Sequence, residues 1–379
     1  MSYGTRKHVY REKLATQASA DKLAQYCPTV TFQTKYDEAR HMKATEWWGK
    51  RDIRVNHHRA VPRVTDDTDV ILKVTNTCIC GSDLHLYLGF FKGMQPGDVM
   101  GHEFMGTIHE AGSKVSKHKT GNRVVACFDI GCGQCPFCKD GMYSCCDCTN
   151  PSVEEAELYG YRTGGFYGYS HRTGGWQGGQ AVYVRVPLAD VNLLAVPNSL
   201  RDEQVILLSD ILPTAWWANE CARTGKGDTV AIWGAGPVGT LAAHCAQNRG
   251  AKRVILIDQY AYRLEHAQKH LPGIEVIDFS KGVRIGVVGV YAQDTNGYHI
   301  GAFMEKGQST AAGQTPCQKY WPELLKKVEK GELHPEMVIT HQLALDDAPY
   351  AYQIFNDKLD NCKKCVLHPD WKSTRKPEE

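Results

Sequence analysis

The stretch from Thr77 to Cys148 holds most of the side chains in this sequence that could do chemistry. Cys78 and Cys80 are followed by Ser82, Asp83 and His85, then by Gly101-His102-Glu103, then by Cys132, Cys135, Cys138, Cys145, Cys146 and Cys148. Thiols, imidazoles and carboxylates at this density suit Zn2+, which takes S and N ligands and brings no redox chemistry of its own. Two zinc sites are expected here.

The downstream cluster is the plainer one. Cys132-x2-Cys135-x2-Cys138, with seven residues before Cys146, gives four thiolates on one short excursion, enough to close a tetrahedral structural site. Cys145 and Cys148 compete with Cys146 for the fourth place. Gly131, Gly133, Pro136 and Gly141 among these cysteines argue against ordinary core packing. An iron-sulfur cluster of the bacterial type would put its fourth cysteine after three residues and before a proline, and this chain does not.

The upstream cluster, Cys80-Gly-Ser-Asp-Leu-His85 with His102 lying 22 residues beyond Cys80, reads as a catalytic metal site. Such a site needs three protein ligands and one open position, so a third ligand must come from elsewhere in the chain.

The elements that position these residues must be drawn from 379 residues, enough for two domains. Hydrophobic content of 42% and charged content of 23% are those of a globular protein. A net charge of +2 predicts no nucleic-acid partner, and no apolar run reaches the ~18 residues of a membrane span. With no apolar leader at the start, the fifteen cysteines are read as metal-binding or catalytic thiols in a cytoplasmic protein rather than as disulfides. Residues 1–41 read as a poorly ordered extension. Arg6, Lys7, Arg11 and Lys13 raise a mitochondrial presequence as the alternative location, while Glu12, Asp21, Asp37 and Glu38 dilute that pattern.

From Met42 short strand-like runs begin, with Ile53 and Val55 and then Val70, Ile71, Leu72 and Val74, and they continue to Ala181–Val186 and Leu193–Val196. Between Tyr159 and Gln180 the chain is rich in Gly and aromatic residues. A loop near a site and a free surface loop are both open readings of that stretch.

The next domain opens with a strand from Asp228 to Trp233, the turn Gly234-Ala-Gly236-Pro-Val-Gly239, and an apolar helical stripe of Val238, Leu241, Ala242, Cys245 and Ala246 that Gly250 can cap. A second strand, Arg253 to Ile257, ends in Asp258. This is a dinucleotide-binding unit. The glycines let backbone N–H groups and the helix N-terminus meet a pyrophosphate, and the acid binds the ribose hydroxyls. A carboxylate at Asp258 would repel a 2′-phosphate, and Gln259 and Tyr260 supply no cation for one, so NAD is expected rather than NADP.

At this point the chain resembles the zinc-containing medium-chain dehydrogenases from about Met42 to Pro369, and among them the glutathione-independent formaldehyde dehydrogenase group of fungal type. The resemblance is carried by Gly49-Lys-Arg-Asp-Ile-Arg-Val55, Cys80-Gly-Ser-Asp-Leu-His85, Cys146-Asp-Cys-Thr-Asn-Pro-Ser152, Gly168-Tyr-Ser-His171, Gly178-Gly-Gln-Ala181, Leu208-Ser-Asp-Ile211, and Gln314-Thr-Pro316 leading into Gln318-Lys-Tyr-Trp321.

The resemblance implies that Cys80, His102 and Asp210 bind the catalytic zinc, and that Cys132, Cys135, Cys138 and Cys146 bind the structural one. Glu103 would be an adjacent carboxylate able to exchange onto the metal, and Asp83 would orient His102. Ser82 and His85 would relay a proton to solvent. Gly234, Gly236, Pro237, Val238, Gly239, Asp258, Arg263 and Gln314 form the candidate cofactor set.

The implied activity is transfer of hydride to NAD from a small alcohol or aldehyde hydrate, with formaldehyde oxidised to formate without glutathione. The alternatives are a polyol or secondary-alcohol dehydrogenase of the same fold, and a zinc-binding protein without turnover. A homo-oligomer is expected.

The implied fold class is α/β: a GroES-like, β-rich catalytic domain over 42–200 and 316–370, a Rossmann domain over 201–315, and a polar tail over 371–379. One departure stands out. Glu275–Phe279 and Arg284–Tyr291 both read as strands, with only Ser280–Val283 between them, too short for a parallel crossover. The family carries a helix, its fourth strand and a further helix there, so the nucleotide domain is expected to be shortened after residue 280. Beyond the gap, Trp321, Leu324, Leu325 and Val328 predict a helix, Met337–Thr340 a strand, Pro349–Phe355 a helix and Cys365–Leu367 the last strand. Cys362 and Cys365 make a CxxC-like pair for which chance spacing is the preferred reading.

Overall fold

In the computed structural model the residues described are 26–154, 163–281 and 313–375. The strand Val70–Ile79, whose apolar run is almost wholly buried, organises the first part of the chain. It pairs antiparallel with Phe104–Ala111, with Tyr183–Val186 and with the final strand Cys365–His368. In that sheet the order is Leu193–Ala195, Arg123–Ala126, Phe104–Ala111, Val70–Ile79, Cys365–His368 and His341–Ala344. The chain therefore returns, after the nucleotide-binding unit, to the sheet in which it began. A second sheet is built from Tyr36–Gly49, Asp52–Pro62 and Asp98–Val99.

Thr229–Trp233, Arg253–Asp258 and Glu275–Asp278 form a parallel sheet in that order, linked by the helices Pro237–Asn248 and Ala261–His270. Pro237 fits the first helical turn because its missing N–H has no partner to lose there, and Gly250 follows the helix at φ +87°. The helix buries Leu241, Ala242, Ala243, Cys245 and Ala246. One hydrophobic cluster joins Cys80, Val205–Leu208, Ile211, Leu241, Cys317, Tyr320, Trp321 and Val366, so the two sheets share a core through the helices Ile211–Cys221 and Cys317–Glu329. The α/β class and the GroES-like, β-rich half are as expected.

Three expectations are changed and a fourth lies outside the described residues. The first strand starts at Tyr36, ahead of Met42, because the preceding segment is tied down. Thr31 is hydrogen-bonded to Asp66 through its N–H (2.7 Å) and hydroxyl (2.7 Å), and its carbonyl accepts from Arg185. Second, Cys27 and Cys148 are joined as a disulfide, which closes a link across 121 residues and removes Cys148 from the metal cluster. The reading of every cysteine as a metal or catalytic thiol fails there.

Third, Met337–Thr340 is not a strand. Pro335 fixes its own φ and lacks an N–H, so the chain makes a 3-10 turn over Pro335–Val338 and extends only from His341. The expected strand Arg284–Tyr291, and the link before it from residue 282, lie outside the described residues. Among those described, Thr229–Trp233 pairs on one side only and is half-exposed, whereas Arg253–Asp258 is largely buried. No helix among the described residues is long and apolar enough to cross a membrane.

Candidate active site and metal centres

The four-cysteine excursion folds on itself. The Sγ atoms of Cys132, Cys135, Cys138 and Cys146 all lie within 4.8 Å of one another, with Cys132 to Cys138 and Cys135 to Cys146 each at 3.9 Å. Tetrahedral coordination at a Zn–S distance of about 2.3 Å sets sulfurs ~3.8 Å apart. Backbone N–H groups of Gln134 and Cys135 donate to Cys132 Sγ, that of Cys138 to Cys135 Sγ, and that of Cys148 to Cys146 Sγ. Donors aimed at sulfur favour the thiolate, so the donor set fits zinc. Cys145 stands outside this group and is partly exposed.

The upstream site is assembled from three places. Asp83 Oδ2 accepts from the Cys80 N–H (2.8 Å) and starts the helix Gly81–Tyr87, while Asp83 Oδ1 lies 3.0 Å from His102 Nδ1. One carboxylate thus fixes both Cys80 and the His102 ring, and leaves Nε2 facing inward. Asp210 comes from the break between the 3-10 turn Ile206–Ser209 and the helix Ile211–Cys221. Trp321 Nε1 donates to the Leu208 carbonyl (2.8 Å) and holds that turn from behind.

Thr214 donates to Asp210 Oδ1 (2.7 Å), so Oδ2 faces His102 Nε2 at 3.3 Å and Cys80 Sγ at 3.8 Å. Ligands of one tetrahedral zinc would lie ~3.4 Å apart for such an N–O pair and ~3.6 Å for an S–O pair, and the three groups fit a shared ion. Burial opposes charge on Asp210, yet His102, with help from Thr214, holds its carboxyl below the usual range. Burial likewise opposes the His102 cation, but Asp83 and then Asp210 raise it.

Glu103 is grouped with these three, and its carboxylate is gripped by Lys364 at 2.7 and 2.6 Å, both side chains being fully buried. Burial alone would lower the Lys364 ammonium, but Glu103 beside it raises it. Ser82 Oγ lies 3.4 Å from His102 Nε2. His85 sits farther out on the same helix, half-buried between Phe90 and Phe91, and desolvation lowers its pKa.

The Gly- and aromatic-rich stretch is a site loop in its described part. Tyr169 places its ring 5.2 Å from that of His102 and also meets Phe91 and Phe166. Sequence reasoning missed Tyr169, Thr214 and Lys364. A lysine pair inside the apolar run from Cys362 to Leu367 was a usable signal for Lys364, since a buried charge needs a partner. Thr214 stands four residues after Asp210 on a helix, also a readable spacing.

At the glycine turn, Gly234 adopts φ +97°, and a Cβ at Gly239 would collide with the Gly234 carbonyl, so both positions need glycine. The Pro237 and Val238 N-terminus opens beside it. Asp258 Oδ2 accepts from the Ala235 N–H (2.6 Å), and its Oδ1 accepts from Gln259 and Tyr260. Arg263 lies 3.7 Å from Asp258 and stacks on Tyr260. A cation therefore does stand at this corner, Arg263 of the candidate cofactor set, three residues beyond Tyr260. Gln314 is exposed, and its carbonyl accepts from Ser144, beside the four-cysteine excursion.

The pair Cys362 and Cys365 is more than a coincidence of spacing. Their sulfurs are 3.3 Å apart, both are buried, and His341 offers a nitrogen to the same group.

A β-rich sheet carrying a Cys-His-Asp cluster, next to a glycine-turn nucleotide unit, defines a zinc-dependent dehydrogenase architecture. Residues 66–198 match the alcohol dehydrogenase GroES-like domain. The chain is 35% identical to the uncharacterized zinc-type alcohol dehydrogenase-like protein AdhB of Bacillus subtilis, covering 86% of this chain and all of that protein. It is 33% identical to the glutathione-independent formaldehyde dehydrogenase of Pseudomonas aeruginosa, over 80% of this chain and 90% of that one. The solved alcohol dehydrogenase TADH from Thermus sp. ATN1 superposes with a TM-score of 0.76 at 30% identity, covering 86% of this chain and 99% of that one. The chain belongs to the zinc-type medium-chain alcohol dehydrogenase family.

Proposed function

We propose that the chain oxidises a small alcohol or the hydrate of a small aldehyde, formaldehyde first, with NAD as hydride acceptor and without glutathione. The observation that carries this reading is the convergence of Cys80, His102 and Asp210 Oδ2 on one point beside Ser82. Cys80, His102 and Asp210 hold the catalytic zinc, which when bound supplies Lewis acidity at an open position. Cys132, Cys135, Cys138 and Cys146 hold a second, structural zinc.

Each side chain then has a task. Asp83 keeps His102 in one tautomer. Ser82 takes the hydroxyl proton of the substrate as its own proton passes toward the half-buried His85, farther along the same helix. Tyr169, Phe91 and the half-buried His85 pack ring against ring beside His102, a crowding that suits small substrates. The glycine turn and the helix from Pro237 receive the pyrophosphate, and Asp258 with Arg263 faces the adenosine ribose.

Zinc content, quenching of tryptophan fluorescence by NADH, and formation of NADH from formaldehyde test the reading together. Saturable NADH binding with formaldehyde turnover is expected; turnover of a polyol in preference to formaldehyde would move the substrate to the alternative class. The half-exposed strand Thr229–Trp233 favours a second reading, in which both metals are kept but dinucleotide binding is lost. Zinc without NADH binding would select it.

A further inference from the structure

We propose that His341, Cys362 and Cys365 form a third metal site, for zinc or a comparable thiophilic divalent ion, separate from the catalytic and four-cysteine centres. One nitrogen and two sulfurs lie within 4.8 Å of one another, drawn from the start of the strand His341–Ala344, the loop before the last strand, and the first residue of that strand. His341 Nε2 is 3.1 Å from Asp360 Oδ2, which places a carboxylate behind the imidazole, while Nδ1, 2.9 Å from Thr340 Oγ1, is the nitrogen that would exchange that contact for the metal. That arrangement is the usual outer support of a metal-bound histidine.

The alternative use of two close thiols is a reversible dithiol. Reactive pairs of that kind sit at a helix N-terminus with one sulfur accessible, whereas both thiols here are buried and neither opens a helix. A nitrogen beside both sulfurs would also activate a dithiol, but with both thiols buried the same three atoms match the ligands of a Cys2His set. Access is provided by an open cavity of about 500 Å3 that His341 and Asp360 line together with Glu265 and His266. Water, or Asp360 after a shift of its exposed side chain, completes the fourth position.

The place of this site suggests what the ion would brace. Between the two cysteines run Lys363, whose Nζ donates to Thr240 on the glycine-turn helix (2.9 Å), and Lys364, which grips Glu103. Tyr262 of the helix Ala261–His270 donates to the Cys362 carbonyl. A metal here would fasten the segment that ties the catalytic cluster to the nucleotide unit. It requires neither the proposed substrate nor NAD.

The test is the metal content of the full chain, purified with zinc present and counted by native mass spectrometry, followed by loading of metal-free protein with Co2+. The wild type is expected to hold about three ions. Cys365→Ser and His341→Ala are each expected to lose one, with the cobalt charge-transfer intensity falling while Cys132, Cys135, Cys138 and Cys146 keep theirs. His341 is partly exposed, so its substitution tests the site should Cys365→Ser fail to fold. A wild-type count of two that neither variant changes, or a Cys362–Cys365 disulfide in the freshly purified zinc-supplemented protein, would overturn the proposal.

Discussion

The two principal candidate metal-ligand sets of this chain are built in opposite ways. Cys132, Cys135, Cys138 and Cys146 come from one excursion, and their sulfurs are oriented by the backbone N–H groups of that same excursion. Cys80, His102 and Asp210 come from three segments and depend on side chains that are themselves held by others: Asp83 on His102, Thr214 on Asp210, Trp321 on the turn before it. A local set can close around its ion fully. An assembled set of three ligands leaves a fourth position for substrate, and its geometry can be tuned by residues that never touch the ion.

This contrast orders the expected effects of mutation. Cys146→Ser removes a ligand from the local set, whose zinc is part of the folding free energy; the largest effect is expected here, with loss of soluble folded protein, read by circular dichroism and yield. Next comes the buried Glu103–Lys364 pair. Lys364→Met strands the Glu103 carboxylate and is expected to cost about 3–5 kcal/mol in a denaturant titration. A smaller loss would mean that water reaches Glu103.

Asp83→Asn should leave the fold in place and weaken the catalytic metal or the rate by roughly 10- to 100-fold, as expected when a carboxylate behind a ligating histidine is removed. An equal effect on both zincs would erase the distinction between the two sets. Thr214→Val is expected to cost about 1 kcal/mol and to let Asp210 rotate, so catalytic zinc should dissociate faster in EDTA while the four-cysteine zinc stays. Simultaneous release of both would contradict the contrast.

The same contrast explains what could be read from the sequence. The four-cysteine set was legible because its information lies in spacing, and only the choice among Cys145, Cys146 and Cys148 needed the fold; the disulfide to Cys27, 121 residues away, decided Cys148. The glycine turn, its helix and Asp258 were legible for the same reason, being one continuous strand-turn-helix-strand unit. Cys80 and His102 were visible as chemistry, but Asp210 was supplied only by family resemblance, since nothing local to Leu208–Ile211 marks a ligand.

Tyr169 and His341 were illegible in a stricter sense, and for Lys364 the sequence signalled a buried charge but not its partner. Each acquires its role from a strand or loop returning from far along the chain, as when Cys365–His368 pairs with Val70–Ile79 and carries Lys364 to Glu103. Arg263, already in the candidate cofactor set, gains its partner at shorter range: one helical turn brings it back to Asp258, past the two residues on which the choice of NAD was read.

The most direct test of the account is NADH formation from formaldehyde, without glutathione, by zinc-loaded wild type and by Asp210→Asn, with zinc counted in both. The account predicts turnover by the wild type, and in the variant a loss of turnover together with one zinc, the four-cysteine zinc being retained. Equal turnover and equal zinc in the two proteins would contradict the claim that Cys80, His102 and Asp210 form the working site.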